Sequence, residues 1–448
     1  APFTYWQWPA DAKRAVMLPP GHFLLVKAPC RFRACFVIDD KVVSLANSLH
    51  ESSGIFFALL PPVPVPEKHK EAKLIISVFG SEKLERRISP VMILAEDVKE
   101  FKLSYGRDEL RRDKRNFLQA NGRGGLIWMP VEPNELRSRY DAVLLGNLNP
   151  DYPVNRHIML RRFRMWAVHH ARIREFTIDC LKEFHIADNG GGVWEYELPV
   201  GNGMFVEIRV KQEILYDENA VMLTLVRSSC EGKGHRLCDN TPVKIIVRPD
   251  VEDRSFHEET KASMGPERYW PGLIKASDHG FEFHAASDRI LSVTGSKGRF
   301  RRAEEWTYMI WQEKEASRGL EPNSDLFSPG YFTVSLAGGE ALYIAGQMLT
   351  SPDAPKIPPA MVSEAAFAKR RDTSVEDTML TALSQFVVKR GDLKTVIAGY
   401  PWFLDWGRDT LIAVRGLIAA PEFRDHVKAI LLQFASYADR GTIPNMIF

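Results

Sequence analysis

The sequence predicts a multidomain protein: all-β sandwich domains followed by the start of an all-α domain. Three observations predict it. Apolar or alternating runs of strand length, divided by turn residues, fill most of the chain. After a proline-bearing connector the apolar period changes to a helical one. The length of 448 residues exceeds what one compact core takes, so about two to four domains are expected.

Residues 1–97 read as short strands. Phe23-Leu-Leu-Val-Lys27, Arg33-Ala-Cys-Phe-Val-Ile38, Ile55-Phe-Phe-Ala-Leu-Leu60, Leu74-Ile-Ile-Ser-Val-Phe79 and Val91-Met-Ile-Leu94 are the runs. The tract Pro61-Pro-Val-Pro-Val-Pro66 lacks the amide donors of a central strand and is an extended connector. A small antiparallel sandwich is the expected result. Residues 98–115 mix acids and bases (Arg107, Asp108, Glu109, Arg111, Arg112, Asp113, Lys114, Arg115). Interleaved charge of this kind reads as a solvated linker.

Residues 116–348 return to strands. Met204-Phe-Val-Glu-Ile-Arg-Val210, Val221-Met-Leu-Thr-Leu-Val226, Val243-Lys-Ile-Ile-Val247 and Tyr331-Phe-Thr-Val-Ser-Leu336 are the clearest. Glycine turns divide them at Gly190-Gly-Gly192, Gly201-Asn-Gly203 and Gly338-Gly339. A large two-sheet sandwich is expected. A linker over 349–372 carries Pro352, Pro355, Pro358 and Pro359.

In 373–448, Val375, Met379, Leu383, Phe386 and Val387 stand at helical spacing, with Gly391 as a stop. A second helix is expected from about Asp409, its cap, to Ala419. A third starts after Pro421, places Val427, Ile430, Leu431, Phe434 and Tyr437 on one face, and ends at Gly441.

Composition narrows the function classes. With 45% hydrophobic and 26% charged residues the chain is an ordinary globular protein. A net charge of +2 gives no electrostatic footprint for nucleic acid. No apolar run approaches the roughly 20 residues of a membrane span, and Ala1-Pro-Phe-Thr-Tyr-Trp-Gln-Trp8 lacks the charged and apolar regions of a signal peptide. Five cysteines without a Cys-x-x-Cys pair fit a reducing cytoplasm, although Cys30 and Cys35 are close enough to bridge elsewhere.

Several motifs fail on inspection. Asn121-Gly-Arg-Gly-Gly125 and Gly295-Ser-Lys-Gly298 match neither phosphate-loop pattern and read as turns. His169 and His170, adjacent in a strand, would point to opposite faces and could not share a metal. His257-Glu258-Glu259 lacks the second histidine of a zincin helix, and no serine sits in a nucleophile elbow. Arg161-Arg-Phe-Arg164 is too small a basic patch to argue for RNA or DNA. No metal or cofactor is expected.

The most informative stretch is Gly399-Tyr-Pro-Trp-Phe-Leu-Asp-Trp-Gly-Arg-Asp-Thr410. Aromatic faces stack on pyranose C–H surfaces, and an Arg–Asp pair grips vicinal hydroxyls by charge-assisted hydrogen bonds. The same residues would also serve a plain loop, with Tyr400, Trp402, Phe403 and Trp406 as core anchors, Asp409 as helix cap and Arg408 as its ion pair. Inverting glycosidases need two carboxyl groups roughly 6.5–9.5 Å apart. Neither Asp405 nor Asp409 is assignable as acid or base; at a helix N-terminus Asp409 would stay ionised and suits a hydroxyl acceptor.

The run from Lys394 to Thr410, followed by Arg440-Gly-Thr-Ile-Pro-Asn445, closely resembles the amylo-α-1,6-glucosidase domain of glycogen debranching enzymes. Leu118-Gln-Ala-Asn-Gly-Arg-Gly-Gly125, Arg137-Ser-Arg-Tyr-Asp-Ala-Val-Leu144, Asn149-Pro150, Arg248-Pro-Asp-Val-Glu-Asp-Arg254 and Pro329-Gly-Tyr-Phe332 resemble the family's N-terminal supersandwich. Leu18-Pro-Pro-Gly-His-Phe-Leu-Leu-Val26 is similar to the small β domain that follows an α-amylase-type barrel.

The resemblance implies an (α/α)6 toroid, an α-glucan substrate, and inverting hydrolysis that frees glucose from an α-1,6 branch stub. It places Trp406, Arg408 and Asp409 in the subsite for the terminal glucose. The candidate substrate-binding residues are then Trp402, Asp405, Trp406, Arg408, Asp409 and Asn445; no catalytic residue is assignable, and Asp409 is the one candidate. The missing initiator methionine and the stop just after a helix suggest an excerpt. A barrel with glucanotransferase or amylase activity would precede it, and the acid–base pair would lie beyond residue 448. A non-catalytic α-glucan-binding module and a glycoside phosphorylase are the alternatives.

Overall fold

A computed structural model describes residues 2–12, 15–50, 54–67, 69–79, 84–95, 103–230, 234–359, 364–368 and 374–447. The chain divides into a unit over Ala1–Phe101 and a second over Lys102–Phe448.

In the first unit the alternation of apolar and polar residues dictates two sheets. Lys70–Phe79 buries every second side chain (Ala72, Leu74, Ile76, Val78), the period of a strand with one face on a core. It lies in a five-stranded sheet with Val16–Leu18, Leu84–Ile93, Phe32–Ile38 and Lys41–Asn47. Phe3–Gln7, Phe23–Ala28, Phe56–Leu60 and Leu49–His50 form a four-stranded sheet. Trp6, Leu24, Val26 and Leu60 from one sheet meet Phe32, Phe36, Leu74 and Ile76 from the other in one core. The expected all-antiparallel pairing needs correction. Phe3–Gln7 runs parallel to Phe23–Ala28, and Val16–Leu18 parallel to Leu84–Ile93. The chain visits the other sheet between Phe3–Gln7 and Phe23–Ala28, and such a crossover brings the second strand back in the same direction.

The second unit opens with another correction. The charged segment read as a linker contains the strand Ser104–Gly106 and the helix Arg107–Arg112; residues 98–102 lie outside the described ones. The strand pairs with Leu181–Ile186. Glu109 accepts a hydrogen bond from the Gly106 amide at 3.0 Å, Leu110 is buried, and Arg107 donates to the Asp179 carbonyl at 2.8 Å. A single apolar anchor and local capping suffice to order a helix whose other side chains face water.

Two large antiparallel sheets follow, one of nine strands and one of eight. Their inner faces share one core that runs from Leu110 to Met348. The long strand Tyr152–His169 is central to the second sheet, between Ala142–Asn149 and Val243–Ser255. The Asn121–Gly125 turn is fixed by a buried side chain. Asn121 Oδ1 accepts from the amides of Arg123 and Gly125, each at 2.9 Å. Gly124 adopts φ +91°, and a Cβ there would lie 1.9 Å from the Pro153 carbonyl oxygen, so only glycine fits.

The connector 349–372 is described only in part. Glu364–Phe367 forms a 3-10 turn that seats Phe367 against Ala187 and Val193. Beyond it, Ser374 caps the helix Val375–Ser384 by accepting from Asp377 N at 3.0 Å. That helix stops earlier than the expected Gly391. Val387–Arg390 and Leu393–Val396 form a hairpin instead, because the β-branched pair Val387-Val388 precedes a turn at Gly391, φ +53°. The second helix spans Gly407–Leu417, starting two residues before Asp409. The third, Arg424–Ala435, ends short of Gly441. It buries Val427, Ile430 and Phe434, whereas Leu431 and Tyr437 are exposed. Among the described residues no helix is long and apolar enough to cross a membrane.

Candidate functional site

The segment from Val396 to Asp409 joins the hairpin to the Gly407 helix, and buried groups hold it from two sides. Within it, the Phe403 amide donates to Gly399 O at 2.8 Å and the Ala398 amide to Leu404 O at 2.9 Å. Tyr400 is buried and its hydroxyl donates to Gln385 O at 3.0 Å. On the hairpin side Arg390 reaches Asp405 at 2.5 Å, with side chains 1% and 2% exposed. Its other nitrogen donates to Ile447 O at 3.3 Å. On the sandwich side Arg156, from the strand Tyr152–His169, donates to Pro401 O at 2.6 Å and also to Phe403 O. Burial pulls the Arg156 pKa down to about 10, which leaves it charged at neutral pH.

Two candidates therefore change role. Asp405 is buried in an ion pair with Arg390; burial raises its pKa even though Arg390 opposes the shift. Trp402 is half-buried in an edge-to-face cluster with Trp128 and Tyr140, at 6.2 Å each. The Arg318 guanidinium sits 5.9 Å from the centre of its ring. Both residues anchor the loop.

Asn445 and the start of the helix form the exposed part. Asn445 O accepts from the Gly407 amide and Asn445 Oδ1 from the Arg408 amide, both at 2.8 Å. A Cβ on Gly407 would lie 2.6 Å from Pro444 O, so glycine is what lets the tail approach this closely. Asn445 thus does the capping that the sequence assigned to Asp409, and Asp409 falls in the first turn with Trp406 at the N-cap position. Arg408 and Asn445 line one groove of about 570 Å³ with Leu411, Ile412, Ile443 and Pro444. Asp409 opens onto a neighbouring apolar cleft of about 610 Å³ lined in part by Leu383, Phe386 and Ala413. Arg408 Nε lies 3.8 Å from Asp409 Oδ2, and the side chains are 74% and 46% exposed. Trp406 is half-buried. The structure brings Trp406, Arg408, Asp409 and Asn445 to one helix end, with donors and an acceptor open to solvent.

Two of the upstream signature segments touch this loop or the hairpin before it. The Lys389 amide donates to Gly122 O at 2.9 Å, and Gln385 Oε1 accepts from the Ala120 amide at 2.9 Å. Tyr140, whose hydroxyl lies 3.0 Å from His257 Nδ1, packs on Trp402. The glycine turn is thus a docking point for the hairpin. The histidine reading also needs correction. His170 sits in a turn at φ +51°, so its ring folds back to 4.2 Å from His169.

Residues 115–343 match a family model described as glycogen debranching enzyme N terminal, just over half of the chain. Residues 381–448 match one described as amylo-alpha-1,6-glucosidase. The chain belongs to the glycogen debranching enzyme family. No curated protein matches it. Membership in this debranching family supports a glycoside hydrolase acting on α-glucan. Sequence reasoning missed Arg156 and Arg390, the two buried cations that hold the loop. Each works through a partner distant in sequence (Pro401 and Phe403 for Arg156, Asp405 for Arg390), so no local spacing announces it.

Proposed function

We propose that the polypeptide containing this chain releases glucose from α-1,6 branch stubs of glycogen or limit dextrin by inverting hydrolysis. In this reading Arg408 and Asp409 hold the hydroxyls of the terminal glucose, Trp406 supplies an apolar ring, and Asn445 fixes the helix end that presents them. The observation that carries the reading is the solvent-open Arg408–Asp409 pair within the segment matching the glucosidase model. A sugar hydroxyl both donates and accepts, so a guanidinium and a carboxylate side by side are complementary to a vicinal pair. These residues bind; none is assigned as general acid or base. The free thiols fit a reducing, cytoplasmic setting.

The test is to incubate the complete polypeptide with limit dextrin and follow the product by NMR. Free glucose that appears first as the β-anomer, without added phosphate, is the expected result. Sugar phosphate formed only when phosphate is present would identify a phosphorylase. Glucan binding retained by residues 1–350 alone, with no glucose released by the complete polypeptide, would identify a binding module.

A further inference from the structure

We infer that Arg156, a residue of the β-sandwich, is a positioning residue for the sugar-binding loop, an inference that rests on the function proposed above. Its side chain is 1% exposed, and both terminal nitrogens are spent on one loop, at Pro401 O and Phe403 O. Among the described residues no carboxylate lies within 4.0 Å of it as an ion-pair partner. Instead the guanidinium sits 4.6 Å from the Phe256 ring centre and 5.7 Å from that of Tyr400.

A buried charge of this kind is a poor way to gain stability, since an apolar side chain of similar volume usually does as well or better. What a planar guanidinium does supply is geometry. Its fork holds two carbonyls, two residues apart, at one fixed separation, which an ammonium cannot reproduce. That fixes the curvature of the loop immediately before Asp405, which Arg390 pins from the other side. The chain then runs directly into Trp406, Arg408 and Asp409. The sandwich therefore sets where the sugar-binding groups stand without touching sugar. A displacement of about 1 Å in such groups costs about a hundredfold in rate.

The experiment uses the complete polypeptide on limit dextrin, with thermal unfolding measured in parallel for Arg156→Lys, Arg156→Gly and Arg408→Ala. Arg156→Lys is expected to stay folded and to lose about ten- to a hundredfold in kcat/KM. Ethylguanidinium, added during folding of Arg156→Gly, is expected to restore activity that ethylammonium does not. Unchanged kcat/KM per folded molecule in Arg156→Lys would overturn the inference if Arg408→Ala is impaired. So would equal rescue by the two amines. If Arg408→Ala itself is unimpaired, the sugar-site reading fails, whatever Arg156 does.

Discussion

Arg390→Met is expected to lower folding stability by about 3–5 kcal/mol, the usual cost of leaving one member of a buried ion pair alone. Arg390 and Asp405 are 1% and 2% exposed, so water cannot replace the missing partner. The second contact of Arg390, to Ile447 O, is lost with it. The double variant Arg390→Met, Asp405→Leu removes both charges and is expected to regain most of the loss, because matched apolar groups need no compensation. Denaturant unfolding followed by tryptophan fluorescence reads both. The single variant should also show a steeper pH dependence than the parent. Burial already raises the Asp405 pKa, and removing the neighbouring cation raises it further. The folded protein then holds the proton more tightly than the unfolded chain does. Stability should therefore fall as pH rises from the ordinary carboxylate range through the raised value. Arg390→Met should be closer to the parent at pH 4.5 than at pH 7. A uniform deficit across that interval would show that Asp405 is not the group left stranded.

Asp409→Ala is expected to lower kcat/KM on limit dextrin by about a hundredfold, equivalent to about 3 kcal/mol for charged hydrogen bonds lost in the transition state. Its effect on stability should stay within about 1 kcal/mol. The side chain is 46% exposed, and an acid in the first turn of a helix contributes only modestly through the dipole. The contrast with Arg390→Met is the informative part. Arg390→Met should lose fold stability, whereas Asp409→Ala should lose turnover with its fold stability kept. Turnover unchanged in Asp409→Ala would reduce that carboxylate to a helix-terminal charge.

The strand period was readable wherever one face of a sheet meets a core. Lys70–Phe79 shows it along its whole length and Met204–Ile214 in its first half. It failed where order comes from few contacts: one buried leucine anchors Arg107–Arg112, and the short hairpin at Gly391 interrupts a pattern that also suits a helix. At the candidate site, residue types single out this loop but not the division of labour within it. Asp405 and Asp409 look alike in sequence. Only the buried Arg390, fifteen residues before Asp405, makes one a structural anchor and leaves the other open. Asn445 came from the resemblance alone, and the fold supplies its physical role as the cap of a helix 37 residues earlier. Arg156 carries no local signal, since its partners lie some 245 residues away.

The Gly407 helix end is proposed to receive a terminal glucose. A crystal structure of the complete polypeptide with panose, a trisaccharide ending in an α-1,6-linked glucose, tests it most directly. The expected result is the non-reducing glucose with hydroxyls within hydrogen-bond distance of Arg408 and Asp409 and a ring face against Trp406. Panose bound elsewhere, with those side chains still in water, would contradict it.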